Sequence, residues 1–272
     1  RRQRQMCIRD RSAAIANVEN NATITLITDT EESITVPNGK TVSLDLGGHT
    51  LTAGDENSPA ITNNGTITSL TNGTIKATLK GSYAGENKDS GAVSNTGNIG
   101  TLNVAVQANQ GAALRNDGTI GEIAGGSYTG HPDKYNGGDA IDTKGLLNKG
   151  TIELISAGHF QGAKYAVRND GTITSITGGT FDSPFIDDSG YCNVTNVREL
   201  DEVWFGDAPA SISGGTWYCL DTNATLKPAI GNTFTYPKGD LCQMTSNKTY
   251  SNGKWIASEQ GAEYYYYTVT PK

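Results

Sequence analysis

The chain is poor in the residues that build a thick globular core or a disulfide framework. It has four cysteines and eight prolines in 272 residues, and only 7% of its residues are aromatic. An odd number of cysteines remains once the terminal Cys7 is set aside, which leaves no closed set of disulfides. No Cys/His spacing indicates zinc, and no apolar run is long enough to span a membrane. This composition favours an elongated solenoid over a compact globule.

Arginine is scarce after residue 11: only Arg115, Arg168 and Arg198 occur in the rest of the chain. Five arginines and Asp10 give residues 1–11 a net charge of +4, so removing them from the total of −7 leaves −11 for the remainder. A body this acidic is not expected to bind nucleic acid or insert into an anionic membrane surface.

The basic N-terminal run resembles the translated adapter sequence seen at the ends of some metagenomic reading frames. We therefore expect residues 1–11 to be a non-native tail and exclude them from fold reasoning. Residues 12–20 predict a short helix with Ser12 as its N-cap. Such a helix would cover the open end of a solenoid, where strand edges are otherwise unpaired.

The sequence contains a repeat instead of a conventional core pattern. In each unit an aliphatic residue is followed by Asn two positions later, by Gly two positions after that, and then by aliphatic residues at fixed offsets. The units span residues 61–70, 93–102, 114–123, 146–155 and 167–176. A further apolar column follows at Ile75, Tyr128, Phe160 and Phe181, and Val106 fills it in the second unit through a local slip. A repeat of this length predicts stacked units that share one core.

The residues between the apolar columns favour short β-strands. Thr and Ser flank the aliphatic positions, and β-branched residues suit a pleated surface. We expect Ile, Leu and Val to point inward and Thr, Ser and Lys to point outward. The repeated glycines are expected in turns that require positive φ. They are Gly65, Gly97, Gly118, Gly150 and Gly171.

The repeated asparagines predict an internal ladder. A buried amide is costly unless its donor and its acceptor both find partners. Stacking at the strand spacing of about 4.8 Å lets each amide bond the next one. The alternative is a set of turn-forming asparagines with unrelated side chains. The column consists of Asn63, Asn95, Asn116, Asn148 and Asn169.

The distance between successive repeat glycines alternates between 32 and 21 residues. We infer that a basic coil takes about 21 residues and that alternate coils carry an insertion. The insertions fall at residues 80–90, 129–139 and 182–192, all at one corner. Loops on alternate coils would lie about 10 Å apart, two strand spacings.

These insertions hold the candidate ligand-binding residues. Aromatic side chains can stack on sugar faces, and acidic neighbours can accept hydroxyl hydrogen bonds from loops on a rigid scaffold. The alternative is that they are ordinary solvated loop residues. The candidates are Tyr83, Glu86, Asp89, His131, Asp133, Tyr135, Asp139, Phe185, Asp187, Asp188 and Tyr191.

Residues 34–51, which read ITVPNGKTVSLDLGGHTL, resemble the opening coils of adhesin-like surface proteins of gut-type bacteria. The coil endings ITGGTF (176–181) and ISGGTW (212–217) are similar to recurrent coil ends of the same proteins. The resemblance implies an all-β fold, a right-handed parallel β-helix of the pectate-lyase-like class. It also implies an extracellular or cell-surface location. With the corner residues above, it leads us to expect contacts with host or microbial glycans or surface proteins.

Pectate-lyase-like folds also include polysaccharide lyases and glycoside hydrolases, so catalysis has to be judged residue by residue. Arg115 and Asp117 recur as Arg168 and Asp170, but such pairs on one strand face are more often solvated ion pairs. No carboxyl pair, nucleophile or calcium motif is recognisable. We therefore expect no catalytic residues, metal or cofactor. A structural stalk is the third alternative.

The expected organisation is a tail at 1–11, a cap and first coils at 12–58, β-helix repeats at 59–217, and a β-rich cap or next module at 218–272. Cys219 and Cys242 lie about one coil apart, so they can stack and cross-link or remain free thiols. Cys192 has no obvious partner.

Overall fold

The computed structural model describes residues 15–79, 90–130, 143–162, 165–182, 203–205, 211–220, 242–244 and 264–268. Nearly all of these residues lie in short strands or in the corners between them. The strands are β1 (Ala22–Thr25), β2 (Thr30–Glu31), β3 (Ile34–Val36), β4 (Thr41–Asp45), β5 (Thr50–Thr52), β6 (Ile61–Asn63), β7 (Thr66–Ala77), β8 (Gly91–Asn95), β9 (Asn98–Ala108), β10 (Ala112–Asn116), β11 (Thr119–Gly130), β12 (Lys144–Asn148), β13 (Thr151–Gly162), β14 (Tyr165–Asn169), β15 (Thr172–Ile176), β16 (Thr180–Asp182), β17 (Val203–Phe205), β18 (Ser211–Ile212), β19 (Thr216–Leu220), β20 (Cys242–Met244) and β21 (Tyr264–Thr268).

The strands form two sheets that the chain visits in turn. Sheet A runs β1-β4-β7-β9-β11-β13-β16-β19-β21-β20, with β2, β5, β15 and β18 attached to it, and sheet B runs β17-β14-β12-β10-β8-β6-β3. From β6 to β15, each sheet B strand is followed by a two-residue corner and then by a sheet A strand. The pairings throughout this region are parallel. The predicted parallel β-helix is therefore confirmed.

Between β6 and β17, the long connections all join a sheet A strand to the next sheet B strand. They are the segments between β7 and β8, between β11 and β12, and between β16 and β17. The alternate connections are short: β9 ends at Ala108 and β10 begins at Ala112, while β13 ends at Gly162 and β14 begins at Tyr165. Thr129 and Gly130 still belong to β11, so the second insertion begins later than the sequence suggested.

The apolar columns meet in register along the core. Ile67, Ile99, Ile120, Ile152 and Ile173 pair one above another, and none is more than 1% exposed. The expected slip in the second unit is also confirmed. Val106, not Gln107, pairs with Ile75 on one side and Tyr128 on the other.

Aromatic side chains continue that last column as a stack. The ring centroids of Tyr128 and Phe160 lie 5.0 Å apart, and those of Phe160 and Phe181 lie 5.1 Å apart, with nearly parallel planes. The Tyr128 hydroxyl donates to the Gly125 carbonyl at 3.0 Å. Burial raises the pKa of the Tyr128 phenol well above its ordinary value. Tyr128 is thus a core residue that keeps one polar contact.

Strand β12 departs from the expected alternation of inward and outward residues. All five of its residues are buried, and Lys144 and Leu147 are 0% exposed. The expectation that lysines point to solvent is therefore wrong at Lys144. Residues on both faces of this strand are covered, so β12 resembles a central strand of a layered sheet.

The asparagine ladder is present as predicted. The Nδ2 atom of each asparagine donates to Oδ1 of the next, at 2.6–2.7 Å, from Asn63 through to Asn169. The same amide nitrogens also reach backbone carbonyls, as when Asn116 Nδ2 donates to Gly118 O at 3.2 Å and to Thr151 O at 3.1 Å. All five side chains are completely buried, so the ladder satisfies polar groups that would otherwise destabilise the core.

The ladder ends where the column becomes apolar. Val36 pairs with Asn63 below the first rung, and Phe205 pairs with Asn169 above the last. No donor among the described residues reaches Oδ1 of Asn63, because valine cannot supply one. The first rung therefore already contains one unsatisfied acceptor.

This asymmetry predicts unequal costs along the ladder. Asn116→Ala removes the donor to Asn148, so a new buried acceptor is left unsatisfied and the free energy of unfolding falls by about 1–3 kcal/mol. Asn63→Ala only moves the existing unsatisfied acceptor from residue 63 to residue 95. We expect its cost to be smaller by about 1 kcal/mol. Urea unfolding of both variants checks this, and equal costs would contradict the account of the ladder end.

The repeat glycines are required for a different reason from the one expected. None of the repeat glycines has a positive φ, so the prediction of positive φ is wrong. These glycines are Gly65, Gly97, Gly118, Gly150 and Gly171. In four of them a Cβ would instead overlap the carbonyl oxygen of the repeat glycine one coil below, and at Gly65 it would overlap Pro37 O. That carbonyl is held in place: Gly97 O, for example, accepts from Thr119 N at 2.9 Å. Close packing of successive corners, not backbone conformation, selects glycine.

Two alanine substitutions separate close approach from backbone strain. Gly118→Ala should lower the free energy of unfolding by at least about 2 kcal/mol, because two hydrogen-bonded corners must move apart. Gly48 has a φ of +81°, and beyond its chain neighbours no heavy atom lies within 4 Å of the position that a Cβ would take. Gly48→Ala should therefore cost only about 1 kcal/mol of conformational strain. Calorimetric melting of both variants provides the comparison. A smaller effect at Gly118 than at Gly48 would refute the packing explanation.

The first described residues cover the open end of the solenoid. Residues 15–17 are helical and the helix ends before residue 18, earlier than the expected end at residue 20, whereas residues 12–14 lie outside the described residues. Ile15 is fully buried in the common core. Lys40 Nζ donates to Val18 O at 2.8 Å and holds the end of this segment on the first coil.

At the other end of sheet A the parallel order stops. Strand β21 is antiparallel to both of its neighbours, β19 and β20. It separates the backbone of Cys219 from that of Cys242 by two strand spacings, about 9.6 Å. The prediction that Cys219 and Cys242 stack directly and can cross-link is therefore wrong, because a disulfide needs Cα atoms less than about 7 Å apart.

Candidate functional site

The residues predicted to bind a ligand all lie outside the described residues. They are Tyr83, Glu86, Asp89, His131, Asp133, Tyr135, Asp139, Phe185, Asp187, Asp188 and Tyr191. The structure fixes the strand ends between which their segments run, at the corner where sheet A passes to sheet B. The described surface that continues from this corner is the outer side of β10, β12 and β14.

That surface carries a compact set of charges, here called the charged face: Arg115, Asp117, Lys149, Arg168 and Asp170. Arg115 pairs with Leu147, and Leu147 pairs with Arg168, so the two arginines occupy one column two coils apart. Asp117, Lys149 and Asp170 each follow a ladder asparagine, and backbone bonds hold these corners in the same order. The stacking of coils therefore assembles five charges that are far apart in the chain.

Each arginine pairs with the aspartate two residues further along. Arg115 Nε donates to Asp117 Oδ2 at 2.5 Å, and its Nη2 donates to Asp117 Oδ1 at 3.1 Å. Arg168 Nε lies 2.9 Å from Asp170 Oδ2. The four side chains are 27–30% exposed, so these pairs orient the guanidinium groups while remaining open to solvent.

The charged face has an aromatic and apolar margin. The guanidinium carbon of Arg168 lies 5.9 Å from the centre of the Tyr165 ring, within cation–π range. Leu147, which lies between the two arginines in their column, is fully buried. Lys144, three residues earlier on β12, is fully buried as well. Arg168 thus lies within ion-pair distance of Asp170 and cation–π distance of Tyr165, although its Nε makes no hydrogen bond.

Sequence reasoning singled out the two arginine–aspartate pairs but missed the lysines. A signal for Lys149 was present, because it occupies the position after the ladder asparagine that Asp117 and Asp170 occupy in their own coils. No comparable signal marks Lys144, whose burial depends on the tertiary structure.

The remaining reactive side chains of the described residues are scattered. His49 Nδ1 lies 3.5 Å from Asp29 Oδ1 on the first coils, whereas His159 pairs with Ser127 and Thr180 near the middle of sheet A. Ser156 Oγ donates to Glu122 Oε1 at 2.5 Å. Within the described ranges no group of three or more His, Cys, Asp or Glu residues is placed to hold a metal ion.

A shallow, open depression of about 420 Å³ lies on the outer side of the first coils. Its lining is polar, with two carboxylates, one amine and three threonines: Asp29, Glu31, Lys76, Thr30, Thr50 and Thr52. Its openness leaves any small molecule largely hydrated, so it lacks the enclosure typical of a small-molecule site.

Comparison with known proteins leaves the family open. No family model matches the chain, and neither a curated protein nor a solved structure matches it. Among the described residues, no helix is both long and apolar enough to cross a bilayer. The resemblance to adhesin-like surface proteins stays a prediction.

The partial exposure of the ion pairs predicts a small energetic role. Arg115→Gln, Asp117→Asn and the double variant form a cycle whose coupling energy should stay below about 1 kcal/mol. Urea unfolding of the four proteins measures it. A coupling of several kcal/mol would mean that the pair is essential to the fold and not merely an orienting contact.

Proposed function

We propose that the chain is a non-catalytic, adhesin-like β-helix protein that lies on the bacterial cell surface or is secreted. It contacts host or microbial glycans or surface proteins through segments at one corner of the solenoid, with no metal or cofactor. The observation that carries the proposal is the placement of the long connections. All three run from sheet A to sheet B: the first joins β7 to β8, the second joins β11 to β12, and the third joins β16 to β17.

The scaffold supports this assignment by its rigidity. The ladder, the aromatic stack and the in-register isoleucines fix the coils relative to one another. Variable segments on such a scaffold are where binding residues usually occur, since insertions there leave the core unchanged. Segments on alternate coils start about 9.6 Å apart, so each would offer a separate contact to an extended ligand.

A structural stalk is the second candidate. The unbroken parallel stacking from β3 to β17 in sheet B favours it, because an elongated solenoid can hold another domain at a distance without binding anything. The two functions predict different behaviour towards polysaccharides.

Affinity electrophoresis of residues 12–272 through gels containing mucin, pectin, xylan or a glycosaminoglycan tests the proposal. We expect slower migration in at least one gel, with the polysaccharide intact after staining. A cleared zone would show a lyase or hydrolase instead, and unretarded migration in every gel would favour the stalk.

The chain supplies a matched control for the corner segments. Gly130 pairs with Gly162 and Lys144 pairs with Tyr165, so the two residues that join Gly162 to Tyr165 can replace residues 131–143 without changing the register. This variant should remain folded by circular dichroism and lose much of its retardation. Full retention of binding would exclude the 131–143 segment from the ligand contact.

A further inference from the structure

The charges of the described residues are unevenly distributed. Residues 15–60 contain seven acidic residues and one lysine. The outer side of β10, β12 and β14 with the corners that follow them carries Arg115, Lys149 and Arg168 against Asp117 and Asp170, while Lys144 is fully buried. Three of the five lysines and arginines in the described ranges that are not buried therefore lie in this one part of sheet B. A net positive area on so acidic a chain is an observation that the proposed function does not explain.

The arginines in this area have restricted orientations. Asp117 accepts hydrogen bonds from Nε and Nη2 of Arg115. Arg168 has Asp170 at ion-pair distance and Tyr165 at cation–π distance, although its Nε makes no hydrogen bond. A guanidinium group that is already oriented loses less conformational entropy when it binds an anion. Lys149 is exposed and lies on the coil between the two arginines.

We propose that the charged face is a binding surface for an acidic glycan, a chain with a carboxylate or sulfate group on alternate sugars. The proposal rests on the glycan contact proposed above and names its chemical class. Arg115 and Arg168 bind successive acidic groups, and Lys149 adds a cation between them.

The spacing of the cations favours a glycan over a nucleic acid. Two coils separate the arginines by about 9.6 Å, a distance comparable to the length of one disaccharide. Duplex DNA instead carries one charge per about 1.7 Å of its axis. Such a dense polyanion would be repelled by the acidic remainder of the chain, whereas a sparsely charged glycan can lie along the face.

The aspartates set the strength of the interaction. They neutralise part of the positive charge, so each arginine contributes a moderate attraction that salt screens readily. Binding should therefore be reversible and should depend on contacts to several coils at once.

The test compares Arg115→Gln, Arg168→Gln and the double variant in gels containing hyaluronan, unsulfated chondroitin or neutral xylan. Lys76→Gln is the matched control, since it also removes one cation but lies on the outer side of sheet A. We expect retention in the acidic gels to weaken about five- to tenfold for each arginine and to remain unchanged for Lys76→Gln. Migration in xylan should be the same for all variants. Circular dichroism melting confirms that each variant is folded.

The outcomes separate this proposal from the proposed function. Retention in acidic gels that is equal for the wild type and the arginine variants overturns the role of the charged face and leaves glycan binding intact. Retention of the wild type by xylan alone does the same. Unretarded migration in every gel removes both proposals. Equal losses for Lys76→Gln and the arginine variants would mean that only total charge matters, which also overturns the proposal.

Discussion

The registry of successive coils is the constraint on which the rest of the structure depends. A parallel strand can pair with the coil below only if its corner turns at the same point, and the asparagine ladder enforces this position once per coil. Each amide from Asn63 to Asn148 bonds both the next amide and a backbone carbonyl of the next coil. A slip of one residue would leave these buried groups unpaired, which costs more than the hydrogen bonds themselves contribute. The glycine that follows two positions later allows the corners to approach closely enough for those bonds to form.

The same registry explains how the chain can vary without losing its fold. Among the coils from β6 to β17, insertions occur only where sheet A passes to sheet B, on the side away from the ladder and its glycine corner. The core columns are unaffected by them: Ile120 pairs with Ile99 across a short connection and with Ile152 across a long one. A solenoid of this kind keeps its stability in the columns, so its corners and outer faces are free to vary in sequence and length.

The charged face illustrates how stacking alone can assemble one surface from residues that are distant in the chain. Arg115 and Arg168 lie 53 residues apart in sequence and Lys149 lies between them, yet the coils place all three on one surface. Each contributes little alone, because exposed ion pairs are screened by water and salt. Repetition at a fixed spacing allows weak contacts to add along an extended partner, which is how elongated repeat proteins obtain affinity without an enclosed pocket.

The sequence was sufficient for every feature that follows from the repeat. The aliphatic columns, the ladder from Asn63 to Asn169 and the slip at Val106 all reflect one periodic requirement, which is written once per coil and can be recognised by alignment. Only the tertiary structure decided what depends on the neighbouring coil. The corner glycines are needed because of a carbonyl oxygen one coil below, and Lys144 is buried on a strand whose five residues are all buried. Periodicity specifies which residues share a column. Packing between columns determines the space around each residue, its burial and which charges lie next to it, because these depend on atoms distant in the chain.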